Sequence, residues 1–262
     1  AEANGDGGCG LASARHDLGD TPGRHPEGRS PDGDRGDHAA PRIRDRDRDP
    51  AFTEAPRPGA WREVLMRRDV LLLAAAYFCM NTVFYMFAQW LFTYLVEERG
   101  FTLLESGFLY VLPFATGALM SAAGGLTCDA LCHRLGGRWG CRIPAMTGLI
   151  GVAVFLLARV NAVNPYVAVG LLSLCFGFTQ FTEGSFASGA TYVGGPHAST
   201  AYGVVNTGGN AAGFLAPAVG LMVDHAGWLW TFASGSAFAL LGAGLWLFVD
   251  VERRLHRAKA IP

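Results

Sequence analysis

The chain has 262 residues, half of them hydrophobic and 16% charged, with a formal net charge of −1. The first 60 residues carry 12 of the 22 acidic and 9 of the 21 basic side chains, so the rest holds about one charge in nine, where a soluble domain holds roughly one in four. So few charges cannot dress a water-soluble surface, and the near-neutral balance offers no basic patch for nucleic acid. An ordinary cytosolic enzyme is excluded; a polar tail joined to a membrane-embedded body fits.

Residues 1–60 contain 10 Gly, 7 Pro and the alternating run from Arg42 to Asp49, with Leu11, Leu18, Ile43 and Phe52 as isolated apolar side chains. Such a segment cannot bury enough apolar surface to offset its backbone entropy, and it is expected to be a disordered, low-complexity tail. Residues 61–262 then read as a transmembrane body. Six apolar runs follow one another: Val70–Val96, Ser106–Leu126, Ile143–Val160, Tyr166–Thr191, Thr200–Val223 and Leu229–Val249. Each approaches the roughly 20 residues a helix needs to cross the hydrocarbon core. None shows the period-2 alternation of barrel strands, so the fold class is an all-α membrane protein of six transmembrane helices.

Charges between the runs orient them. Arg62, Arg67 and Arg68 precede the first; Arg134, Arg138 and Arg142 lie between the second and third; Arg253, Arg254, Arg257 and Lys259 follow the sixth. The opposite joints hold only Arg99 and Arg159. The positive-inside rule predicts both termini and the 128–142 loop in the cytoplasm.

Polar groups inside spans are costly and mark function by default. In the first run Tyr77, Asn81, Tyr85 and Gln89 recur every four residues, drift by about 40° per step and stay on one broad face, with Trp90 at its border. They predict a wall of a watery cavity. Cys128, Cys132, His133 and Cys141 punctuate the loop, but their spacing is that of no familiar zinc module; no metal and no cofactor are expected. The fourth run carries Thr179, Gln180, Thr182, Glu183, Ser185 and Ser188, with Glu183 its one acid, a candidate for proton coupling or for a polar cavity wall. In the fifth, Asn206 and Asn210 sit one turn apart, Gly209 and Gly213 form a small-xxx-small pair, and Pro217 permits a bend. No nucleophile–base pair or phosphate-cradling loop accompanies them, so an enzyme is not expected.

The segment Gly124 to Arg138 (GGLTCDALCHRLGGR) resembles the Gly-x-x-x-Asp-…-Arg-x-Gly-x-Arg cytoplasmic loop of the major facilitator superfamily. Trp90–Gly100 (WLFTYLVEERG), Glu183–Gly195 (EGSFASGATYVGG) and Gly203–Gly213 (GVVNTGGNAAG) with Gly227-Trp228 are similar to the anion:cation symporter family of organic-anion and sugar-acid transporters. That resemblance implies twelve helices in two six-helix halves built from inverted three-helix repeats, with substrate between the halves, and the six runs here would be helices seven to twelve. It implies substrate contacts by Asn206 and Asn210 and by the helix-seven face at Asn81 and Tyr85, and a cytoplasmic gate made of Asp129, Arg134 and Arg138. It further implies symport of an organic anion with protons across a bacterial inner membrane. Ala187 and Tyr192 depart from the residues common at their positions. Transport also requires an amino-terminal six-helix half, which the tail does not resemble. The competing expectation is a truncated, non-transporting membrane fragment or interaction module.

Overall fold

The computed structural model describes residues 60–251. The tail, and the basic residues from Arg253 onward, lie outside the described residues. Within them the chain is helical and contains no strand. Helix α1 spans Ala60–Leu65. Helix α2, Arg68–Thr93, runs on through a π-helical turn, Tyr94–Glu98. Helix α3 is Leu103–Ala158, α4 Pro165–Phe181, α5 Glu183–Gly194 and α6 Ala198–Asn210. A 3-10 stretch, Ala211–Leu215, leads into α7, Ala216–Trp246.

Three stretches are long and apolar enough to cross a membrane: Arg68–Glu98 of 31 residues, Leu103–Ala158 of 56 and Pro165–Trp246 of 82. The second and third far exceed the ~20 residues of one crossing, and they reverse at glycines. Gly136 (φ 82°, ψ 166°) and Gly227 (φ 77°, ψ 172°) adopt nearly the same left-handed backbone conformation, one closed to side chains bearing a Cβ. A Cβ on Gly140 would fall 2.4 Å from Cys132 Cα, whereas eight residues of straight helix rise about 12 Å; α3 therefore folds back on itself. Six passes result: 68–98, 103–135, 137–158, 165–194, 198–226 and 228–246.

The packing register gives their directions. Gly208, Gly209, Gly213 and Gly220 meet Ala74, Tyr77, Tyr85 and Trp90 in rising order, so the first and fifth passes are parallel. Gly117 meets Phe176 and Gly124 meets Phe181, so the second and fourth are parallel too. The third runs against the fourth, Gly148 facing Thr182 and Gly151 facing Phe178, and the sixth against the first, Gly235 facing Met86 and Gly242 facing Cys79. Exchanging passes one to three with four to six maps the first–fifth pair onto the fourth–second pair, and the third–fourth pair onto the sixth–first. The bundle is thus two three-helix units related as inverted repeats.

At one end Arg67 donates to the Val193 carbonyl (3.2 Å), Arg142 to the Val249 carbonyl (2.7 Å), and the Asp250 amide to Asp69 (3.1 Å). At the other, Arg99 and Arg159 both donate to the Tyr94 hydroxyl, and Arg99 reaches the Ala162 carbonyl. Arg67 and Arg142 therefore lie at the end opposite Arg99 and Arg159. Around the bundle Phe108, Leu119, Leu126, Val154, Phe214 and Leu241 are exposed. An apolar belt of this kind suits lipid, and a water-facing monomer rarely carries one.

The helices differ from the sequence reading at their ends. The 128–142 loop is helical apart from the reversal at Gly136. The fourth pass is interrupted at Thr182, and the fifth becomes 3-10 just ahead of Pro217, whose ring nitrogen cannot donate to the preceding turn.

Candidate functional site

The polar residues of the first, fourth and fifth passes meet across the seams between helices. Glu183 opens α5, because Thr182 breaks the fourth pass: its amide and its hydroxyl both donate to the Thr179 carbonyl, at 3.2 and 2.7 Å. This puts the carboxylate in the first turn of a helix, where the peptide dipoles favour negative charge. The Tyr77 hydroxyl lies 2.9 and 3.1 Å from the two Glu183 oxygens and donates to that carboxylate. Tyr77 packs over Gly209, where a Cβ would stand 2.1 Å from its ring and 2.8 Å from Asn81 Nδ2. Only a glycine lets the fifth pass come this close.

Asn81 is 4% exposed, and its Nδ2 has no hydrogen-bond partner; neither has Gln180 Oε1. Orphaned buried amides cost about 1–3 kcal/mol each, so both are poised to gain from a bound polar group. Further along α2, the half-buried Tyr85 donates to Asn210 Oδ1 at 2.8 Å. Asn210 Nδ2 in turn donates to the Asn206 carbonyl at 2.9 Å and to the Asn206 side-chain oxygen. Trp90 closes the row by donating to the Ala216 carbonyl at 2.9 Å.

Of the residues singled out in the sequence, Tyr77 therefore joins Glu183, and Tyr85 joins Asn210 and Asn206. Asn81 lies between these groups, whereas Gln89 is exposed beyond them. The stripe is not uniformly open: Tyr77 and Asn81 are buried, and exposure rises toward Gln89, as the 40° drift per step requires. Gln180 and Thr182 carry weight that periodicity along α2 could not reveal; their signal was polarity within an apolar run. A cavity of about 470 Å³, lined by residues including Ala74, Phe78, Gly208 and Leu241, is apolar and touches none of these polar residues.

Asp129, Arg134 and Arg138 are exposed near the Gly136 reversal. At the same end the Cys128, Cys132 and Cys141 sulfurs lie within 4.8 Å of one another, while His133 faces outward.

Comparison with known proteins agrees with this architecture. The model of the Major Facilitator Superfamily matches residues 21–181. The chain is 30% identical over 196 residues to the chloroplastic sodium-dependent phosphate transport protein 1 of Arabidopsis thaliana, covering 74% of this chain and 38% of the relative. It is 31% identical over 169 residues to the probable sulfoacetate transporter SauU of Cupriavidus necator (64% and 39% covered). It is 28% identical over 174 residues to the probable galactarate/D-glucarate transporter GudP of Bacillus subtilis (63% and 37%). The chain thus spans about two-fifths of the length of these curated relatives. With six alternating helical passes, an apolar belt and this match, the chain is a multi-pass membrane protein that belongs to the major facilitator superfamily.

Proposed function

We propose that residues 61–262 form the carboxyl-terminal six-helix half of a proton-coupled symporter for an organic anion, a sugar acid or another carboxylate. Relatives named for phosphate, sulfoacetate and galactarate/D-glucarate support an anion as cargo. The observation that carries the reading is the hydrogen-bonded row across three passes: Tyr77 with Glu183, and Tyr85 with Asn210 and Asn206.

The chemistry follows from these groups. Tyr85, Asn206, Asn210 and Asn81 offer hydroxyl and amide donors that now satisfy one another or go unmatched, and a carboxylate substrate would re-aim them. Gln89 extends the donor row toward a facing wall supplied by the other six-helix half. An ionised Glu183 repels an incoming anion, more strongly as water is excluded. Protonation removes that repulsion, so anion and proton move in the same direction. Asp129, Arg134 and Arg138 stand exposed at the cytoplasmic end as the gate, where charge-assisted contacts with the other half form and break as the halves rock. The positive-inside rule places both termini and the Gly136 reversal in the cytoplasm, and a bacterial inner membrane suits that orientation.

Uptake by vesicles containing a transporter with both halves tests the reading. Glu183→Gln should keep anion exchange and lose accumulation driven by a pH gradient; intact accumulation would remove Glu183 from coupling. Asn206→Ala and Asn210→Ala should each weaken anion affinity, and if neither does, the site lies elsewhere. Vesicles holding this chain alone should show no saturable uptake.

A further inference from the structure

The reversal at Gly136 assembles a second constellation that the transport site does not use. Cys128 and Cys132 lie one turn apart on the second pass, and Cys141 lies on the third. The Cys132 and Cys141 sulfurs are 3.7 Å apart, those of Cys128 and Cys132 4.0 Å, and all three fall within 4.8 Å. Three thiolates on one tetrahedral zinc ion at about 2.3 Å stand about 3.8 Å from one another. The Cys132–Cys141 and Cys128–Cys132 spacings are therefore those of ligands that share an ion; a disulfide would need the sulfurs at about 2.05 Å.

Two features show that the cluster is built. Gly140 lets the third pass approach so closely that a Cβ there would lie 2.4 Å from the Cys132 backbone and 2.6 Å from its sulfur. On the fourth pass Ser185 and Ser188 lie near Cys128. Ser185 is fully buried. Cys128 and Cys141 are buried and Cys132 is half-buried.

We infer that Cys128, Cys132 and Cys141 form a site for one soft, thiophilic cation, with zinc the ion whose size the sulfurs fit. Soft thiolates select such ions over magnesium or calcium. Coordination releases the thiol protons to solvent and forms three sulfur–metal bonds, tying the second and third passes together beside the fourth.

The test uses the full chain, purified under reducing conditions in detergent and titrated with Cd²⁺. An ultraviolet sulfur-to-cadmium charge-transfer band should saturate at one ion per chain, and Zn²⁺ should displace it. Cys132→Ser and Cys141→Ser should each abolish the band, whereas a chain with Cys9, Cys79 and Cys175 all changed to Ser should keep it. Absence of the band from the unaltered chain, or its persistence in both single variants, overturns the site. X-ray absorption of the zinc-loaded unaltered chain is independent of how any variant folds. It should show three sulfurs at about 2.3 Å, and fewer than three would equally overturn the site.

Discussion

The two parallel seams of the bundle occupy equivalent places in the inverted repeat, yet they are made differently. Between the second and fourth passes, Gly117 accepts the Phe176 ring, but further along backbone meets backbone: a Cβ on Gly124 would stand 2.0 Å from the Phe181 carbonyl oxygen, and one on Gly184 would stand 2.8 Å from Gly125 Cα. Between the first and fifth passes the glycines lie on one helix only and accept side chains from the other: Tyr77 at Gly209, Tyr85 at Gly213 and Trp90 at Gly220. Lipid offers no hydrophobic drive for helix association, so close van der Waals packing and interhelical hydrogen bonds must supply it. The first seam relies on packing. The second divides the work between packing and hydroxyl or amide groups, which can change partners. The proposed substrate residues lie along the second.

The largest effect should come from Gly124→Ala. Its obstacle is a backbone carbonyl that cannot turn aside, so the second and fourth passes must separate. Overpacking costs typically about 1–3 kcal/mol and occasionally more, and this site belongs at or above the upper limit. Thermal unfolding in detergent would show it, and an unchanged midpoint would contradict the backbone contact at Gly124. Gly209→Ala should cost less, within about 1–3 kcal/mol, because the Tyr77 ring can yield. Adding Tyr77→Ala should recover part of that loss, a non-additivity expected of residues in contact. No side chain trimmed opposite Gly124 should give a comparable recovery. If the two glycines respond alike, the contrast between the seams fails.

Tyr85→Phe should be milder for stability. It removes one interhelical hydrogen bond, which in membrane proteins averages on the order of 0.6 kcal/mol, while anion affinity should fall by more than stability does. The smallest effect lies at the start of the second pass. The Thr102 amide and hydroxyl donate to the Glu105 carboxylate, which holds it below the ordinary carboxylate range, and the Thr102 oxygen accepts from the Glu105 amide. The stabilisation from this capping box is present at neutral pH and lost as pH falls through the lowered value. Glu105→Gln should flatten the acid limb of a plot of stability against pH, and a limb of unchanged slope would show that the box contributes nothing.

Much of this was legible in the chain. The shortage of charge after residue 60 and the apolar runs announced membrane helices, and the placing of the arginines announced which joints share an end. The four-residue step from Tyr77 to Gln89 marked one helix face, and the pairing of Asn206 with Asn210 was implied by one turn of helix. These are local consequences of helical geometry and of lipid as a solvent. Partnership across the seams was not legible. Tyr77 and Glu183 are 106 residues apart, and only the break at Thr182 and the space above Gly209 bring them together. The cysteines show the same limit. Read by spacing along the chain they resembled no metal module, yet a reversal at one glycine sets Cys141 against Cys132.

By itself, then, the sequence determined the helices, the medium they lie in and the ends that share a side, because backbone satisfaction in lipid and loop charge act over one or two turns or one short joint. The tertiary structure decided which polar groups bond one another and where three thiols converge. Those outcomes depend on how closely helices approach, and glycines distant from one another in the chain set that approach.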